Sequence, residues 1–159
     1  MTSLLKLLER NCRVSNAQLG AMLGLNEEEV GEKIKELEMN NTVLGYRAIV
    51  DWEQIKEEVV TALIEVKVTP QRDLGFERVA ERIYQYEEVE SLYLMSGGFD
   101  LSVTITGKSM KEVALFVATK LAPIEGVSGT ATHFVLKKYK DHGVMFNVEE
   151  EQQERAYLI

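Results

Sequence analysis

The spacing of the apolar residues changes once along the chain, near residue 59, and that change limits the fold more than any other feature. Before it, apolar positions recur every three or four residues, the period of a helix. From Val60 to Val68 they alternate, the period of a half-buried strand. Leu4, Leu5 and Leu8 give a first helical stripe, broken at Asn11-Cys12-Arg13-Val14. Ser15 is a good N-cap for a second helix carrying Leu19, Met22 and Leu23, and Gly24 breaks it. Asn26 caps a third helix. Glu27, Glu28 and Glu29 lie in its first turn, where the helix dipole favours acids, and Val30, Ile34 and Leu37 form its buried stripe. Two helices joined by a tight glycine-containing turn predict a helix-turn-helix. Asn40-Asn41 ends the third helix, and Val43 to Val50 reads as an extended pair or wing.

Residues 51–58 read as a connector with a short helical turn around Trp52 and Ile55. In the strand that follows, Ala62, Ile64, Val66 and Val68 oppose Leu63, Glu65 and Lys67. Phe76, Val79, Ala80, Ile83 and Tyr84 then fall at helical spacing and predict an amphipathic helix from Asp73 to Tyr86. Val89 to Met95 and Phe99 to Thr106 read as strands around a Ser96-Gly97-Gly98 hairpin connection. Ser109 and Glu112 form a capping box for a helix whose apolar face is Met110, Val113, Val117 and Leu121. Pro123 and Gly126 stop it, and Thr130 to Tyr139 is the last long strand. The expected class is therefore α+β: a winged helix-turn-helix over residues 1–50 and a ferredoxin-like βαββαβ sandwich over residues 59–140. With both helices on one face of the sheet, the other face is uncovered, and its apolar share implies a partner. The tail, residues 141–159, turns acidic and then apolar; it reads either as a short helix docking on the sheet or as a segment without fixed structure.

Length and composition narrow the function classes. A chain of 159 residues fits one ordinary domain or two small ones. Cys12, the only cysteine, has no partner for an internal disulfide and no zinc-ligand spacing. No apolar run approaches the ~18 residues of a membrane span, and no signal peptide is recognisable, so a soluble cytoplasmic protein without a membrane partner is expected. The net charge of −8 argues at face value against nucleic acid. The charge is unevenly placed, however: residues 1–50 hold six basic against seven acidic side chains, and the remainder holds twelve against nineteen. The acidity belongs mainly to the C-terminal two-thirds.

The residues offer no catalytic constellation, no metal site and no cofactor motif, so an enzyme is not expected. His133 and His142 are the only histidines, and neither has the spacing of a ligand pair. Gly107-Lys108-Ser109 lacks the first glycine of a P-loop and reads as a strand-to-helix turn with Ser109 as cap. The helix-turn-helix is the stronger signal, because it presents the start of its second helix to base edges in the major groove of DNA. Its candidate contacts are Lys6, Arg10, Arg13, Asn26, Lys33, Lys35 and Arg47. The three glutamates of the first turn oppose phosphate contact. An alternative reading is therefore a metabolite-binding oligomer whose degenerate helix-turn-helix no longer binds DNA strongly.

Taken together, these segments resemble the Lrp/AsnC family of feast/famine regulators from near residue 4 to near residue 140. The resemblance rests on Asn11-Cys12-Arg13-Val14-Ser15, on Leu19 to Leu25, on Val30, Ile34, Leu37 and Glu38, and on Gly45-Tyr46-Arg47-Ala48. It continues through Gly98-Phe99-Asp100 and Phe134-Val135-Leu136-Lys137. It implies a transcriptional regulator with an N-terminal DNA-binding unit. Its C-terminal domain would form a homodimer, assemble to an octamer and bind an amino acid or related small-molecule effector. By position, Gly97, Gly98, Phe99 and Asp100 match the family's effector hairpin, with Thr130 and Thr132 as secondary contacts. Glycines there let backbone N–H groups approach a carboxylate, and Asp100 is placed to pair with an α-ammonium. The chain departs from the family where an arginine near Lys33, another near Glu36 and a glycine at Asn41 are usual.

Overall fold

The computed structural model describes residues 2–69 and 75–146, in two compact units, residues 1–48 and 49–159. The first is all-helical: α1 (Thr2–Arg10), α2 (Asn16–Leu23) and α3 (Glu27–Met39). Leu4, Leu8, Leu19, Val30 and Leu37 form its core, with Leu5, Val14, Leu23, Ile34 and Val43 packed around them. Both helix starts of the helix-turn-helix are full capping boxes. The Ser15 hydroxyl accepts from the Gln18 N–H while the Gln18 side chain accepts from the Ser15 N–H. Asn26 and Glu29 repeat the arrangement on α3, both bonds at 2.8 Å. Gly20 makes the turn between them possible: a Cβ there would stand 2.6 Å from the Leu25 carbonyl oxygen, whose own N–H bonds back to Gly20.

At the end of α3, Asn41 adopts the left-handed conformation (φ 58°), and the Thr42 and Val43 N–H groups return to the Leu37 carbonyl. Asparagine tolerates this conformation better than other non-glycine residues, so it can end the helix here. The expected wing is not formed as a strand pair. Residues 44–50 carry no ladder, and the segment is held by Val43 in the core and by the Tyr46 hydroxyl, which donates to Glu38 at 2.9 Å.

The second unit begins with a short 3-10 turn, Trp52–Ile55, capped by Asp51, in the expected connector. Its sheet contains β1 (Val60–Val68), β2 (Val89–Leu94), β3 (Leu101–Gly107) and β4 (Val127–Phe134), antiparallel, in the order β2-β3-β1-β4. Helices α4 (Phe76–Ile83) and α5 (Met110–Phe116) complete the βαββαβ order. The register sets three apolar rows on the helix side: Val89, Ile105, Ala62 and Phe134; Leu92, Val103, Ile64 and Thr132; Leu94, Leu101, Val66 and Thr130. Val79 and Ile83 of α4 and Val113 and Phe116 of α5 join the same core.

Several boundaries differ from the expectation. Helix α4 starts at Phe76, after the extended N-cap Gly75, and ends at Ile83 rather than Tyr86; of its predicted span, residues 73 and 74 lie outside the described ones. The last strand starts three residues early, at Val127, and ends at Phe134; one more bond, from the Val135 N–H to the Thr61 carbonyl at 2.9 Å, follows the last ladder pair, Ala62↔Phe134. Residues 135–139 continue without a ladder into a two-residue hairpin, β5 (Lys140–Asp141) and β6 (Val144–Met145), inside the expected tail. The rest of that tail, 147–159, lies outside the described residues. The capping box expected at α5 is incomplete: the Ser109 hydroxyl accepts the Glu112 N–H, but the Glu112 carboxylate accepts from the Lys108 N–H instead. Beyond α5 the helix widens into a π turn, Val117–Leu121, closed by the Ala122 N–H on the Val117 carbonyl.

The uncovered sheet face is more polar than expected. Its rows are Tyr93, Ser102, Glu65 and Ala131, and Ser91, Thr104, Leu63 and His133. Only Leu63 and Tyr93 are large and apolar there. His133 faces Glu65 at 3.3 Å, a cross-strand neighbour rather than a metal ligand.

Candidate functional sites

In the N-terminal unit the buried stripe of α3 turns Val30, Ile34 and Leu37 inward. Helical spacing then places Glu28, Glu32, Lys35, Glu36 and Met39 on the outward side, all exposed. Lys35 is exposed, whereas Lys33 is half-buried on the flank. Lys6 and Arg10 are exposed on α1, Arg13 is exposed at the turn before α2, and Arg47 is exposed in the irregular segment. The five exposed cations, Lys6, Arg10, Arg13, Lys35 and Arg47, come from four different segments rather than one helix. Asn26 has another duty: its side-chain oxygen accepts the Glu29 N–H, which fixes the side chain as the cap of α3.

The glutamates also divide by role. Glu29 closes the capping box, whereas Glu28, Glu32 and Glu36 form an acidic row along the outward side. That row is visible in the sequence at i, i+4 and i+8 once the buried stripe is known, yet attention to the first turn alone misses it. The Tyr46–Glu38 bond had no sequence signal. Burial, and then the hydrogen bond to Glu38, raise the Tyr46 hydroxyl above its ordinary pKa.

In the C-terminal unit the β2–β3 connection spans residues 95–100. It is closed by the Met95 N–H on the Asp100 carbonyl, and the Asp100 N–H donates to Val66 across the sheet at 3.0 Å. The Asp100 carboxylate accepts from the Val68 N–H at 2.8 Å, where the β1–β4 register shifts between Lys67 and Val68. The side chain predicted to meet an ammonium is thus partly spent on tying the hairpin to β1. Gly97 has φ 144°, in the region that glycine alone adopts readily, and it and Gly98 are exposed, with no heavy atom within 4 Å of a Cβ built at either. The N–H groups of Ser96, Gly97, Gly98 and Phe99 find no acceptor among the described residues. Phe99 is half-buried.

Thr130 and Thr132 are not brought to this hairpin. They pair with Val66 and Ile64 on the helix-covered side of β4, two strands from β3, roughly 10 Å away at the usual strand spacing. The alternation that placed them on a strand does not specify which neighbour that strand takes.

Residues 2–38 match the AsnC-type helix-turn-helix domain, and residues 61–145 match the Lrp/AsnC ligand binding domain. The chain belongs to the Lrp/AsnC family. It is 46% identical over 153 residues to the HTH-type transcriptional regulator YugG of Bacillus subtilis, covering 96% of this chain and 92% of that one. The leucine-responsive regulatory protein of Haemophilus influenzae is 29% identical, over 84% of this chain and 80% of its own length. In fold the chain is similar to the Neisseria meningitidis regulator NMB0573, solved with L-Met: TM-score 0.70, 24% identity, 94% of each chain covered. This Lrp/AsnC protein is accordingly a transcriptional regulator with a helix-turn-helix and a ligand-binding domain, and not an enzyme. Among the described residues no helix is long and apolar enough to cross a membrane.

Proposed function

We propose that this regulator binds DNA with sequence preference through α2 and α3, and that its C-terminal domain senses an amino acid or related small zwitterion and forms a homodimer that assembles to an octamer. The hairpin carries the sensing part of this reading. Four consecutive backbone N–H groups with no acceptor among the described residues, opened by two exposed glycines, suit a ligand carboxylate. The L-Met bound to the Neisseria relative supports the ligand class. Asp100 holds the hairpin in place through Val68 and keeps its second oxygen for an ammonium. The effector would act by binding one assembly more tightly than another, which shifts half-site spacing on DNA.

A thermal-shift screen of the twenty amino acids, followed by DNA binding to the upstream region of the regulator's own gene with and without the hits, tests this. A true effector at about a hundred times its Kd adds about 2.7 kcal/mol to stability. No shift with any amino acid would remove the sensing half, and no salt-sensitive DNA binding would remove the other.

One observation favours a second reading, a metabolite-binding oligomer with a weakened helix-turn-helix: the acidic row Glu28, Glu32 and Glu36. Replacing the three by glutamine separates the two. A working DNA surface gains affinity severalfold, whereas a lost one gains nothing.

A further inference from the structure

The N-terminal unit holds fewer basic than acidic side chains, and the outward side of α3 opposes three carboxylates to one lysine. In the other unit, the segment that leaves β4 carries Lys137, Lys138 and Lys140 within four residues, in a domain that is acidic elsewhere. Lys137 and Lys140 are exposed and Lys138 is half-buried. None of the three has a carboxylate within 4 Å among the described residues, although most of the chain's charged side chains are acidic. The Lys137 ammonium stands 5.2 Å from the centre of the Tyr139 ring, which limits its freedom without neutralising it. Lys140 is fixed by the β5–β6 ladder, where it faces Met145, and the Phe146 N–H bonds to the Tyr139 carbonyl. Three cations without an ion pair among the described residues, on a tied-down segment, suit a polyanion, and the polyanion that the reading above gives this regulator is DNA.

We propose that Lys137, Lys138 and Lys140 form a second, sequence-independent nucleic-acid contact that takes backbone phosphates outside the bases read by the helix-turn-helix. The proposal rests on the DNA-binding reading above. It gives an acidic regulator an affinity that its N-terminal unit is poorly charged to supply, and it assigns base reading and phosphate holding to different domains. Leu136 and Tyr139, 86% and 70% exposed, make a protein partner the competing occupant.

The experiment uses the full chain with Lys137→Gln, Lys138→Gln and Lys140→Gln combined, beside a Lys33→Gln, Lys35→Gln variant. Binding to duplexes of two different sequences is followed by fluorescence anisotropy across a salt series, with sedimentation to follow mass. In the triple variant, the slope of log K against log salt becomes shallower by about 2 to 3. The ratio of wild-type to variant affinity then changes about forty-fold between about 50 and 200 mM salt. The preference between the two duplexes and the mass stay unchanged. If the slope of the triple variant equals that of the wild type while the Lys33, Lys35 variant loses slope, the second contact is wrong and the helix-turn-helix reading stands. A triple variant whose mass falls and whose DNA slope does not change assigns the patch to protein contact and overturns the proposal. A wild-type chain that binds neither duplex overturns both readings.

Discussion

The two candidate sites are made of different material. The proposed DNA contact would use side chains set by helical spacing, and the proposed effector hairpin would use backbone N–H groups set by strand register. In the first, a residue's role follows from neighbours three or four positions away: the caps of α2 and α3, the buried stripe of α3 and its acidic outward row all lie within one or two turns. In the second, Asp100 acts on Val68, 32 positions earlier, and the hairpin's aim depends on which strands flank β3. Local sites tolerate substitution one side chain at a time, whereas a backbone site fails as a whole when its anchor is removed.

The sharpest way to break that contrast is at the anchor. Asp100→Ala leaves the Val68 N–H without its acceptor and is expected to cost about 1–3 kcal/mol, measured by denaturant unfolding, together with at least ten-fold in effector affinity. Asp100→Asn keeps an acceptor oxygen and is expected to recover most of the stability. If Asn recovers stability but not ligand affinity, the carboxylate also meets the ligand's ammonium. Asn26→Ala is the matching local test. Loss of the cap is expected to cost about 1 kcal/mol while leaving the salt slope of DNA binding unchanged, and Asn26→Ser is expected to be close to neutral.

Gly97→Ala comes next, at about 1 kcal/mol, from backbone strain alone, since a Cβ there meets nothing. Its effect on ligand affinity is expected to exceed its effect on stability, and equal effects would argue that the loop does not bind. The smallest effect is at Glu88, whose hydrogen bond from Lys120 holds its carboxyl below the usual carboxylate range. Both side chains are more than a third exposed, so Glu88→Gln is expected to cost a few tenths of a kcal/mol. A depressed carboxyl stabilises the fold above its unfolded-state pKa. The difference between wild type and Glu88→Gln is therefore present at neutral pH and disappears as pH falls through the acid range.

Legibility followed the same divide. The three helices, Ser15 and Asn26 as caps and the βαββαβ order were readable because caps and period are local signals. Register was not, and it decided three things: Thr130 and Thr132 on the helix-covered side, a polar rather than apolar open face, and β4 ending at Phe134. The wing was over-read, because apolar residues from Val43 to Val50 mark an extended segment without naming a pairing partner. At Asp100, position in the sequence gave no sign of the bond from the Val68 N–H, 32 residues earlier.

The π turn at the end of α5 has a consequence for chain length. Phe116 and Leu121 are both buried five positions apart, a spacing an α-helix does not keep on one face. The segment therefore carries one residue more than its helix needs. Deleting a single residue between Val117 and Lys120 lets the turn relax to α geometry with both anchors still inward, whereas inserting one adds a second surplus residue and drives Leu121 out of the core. Here the chain has room to lose length and none to gain it.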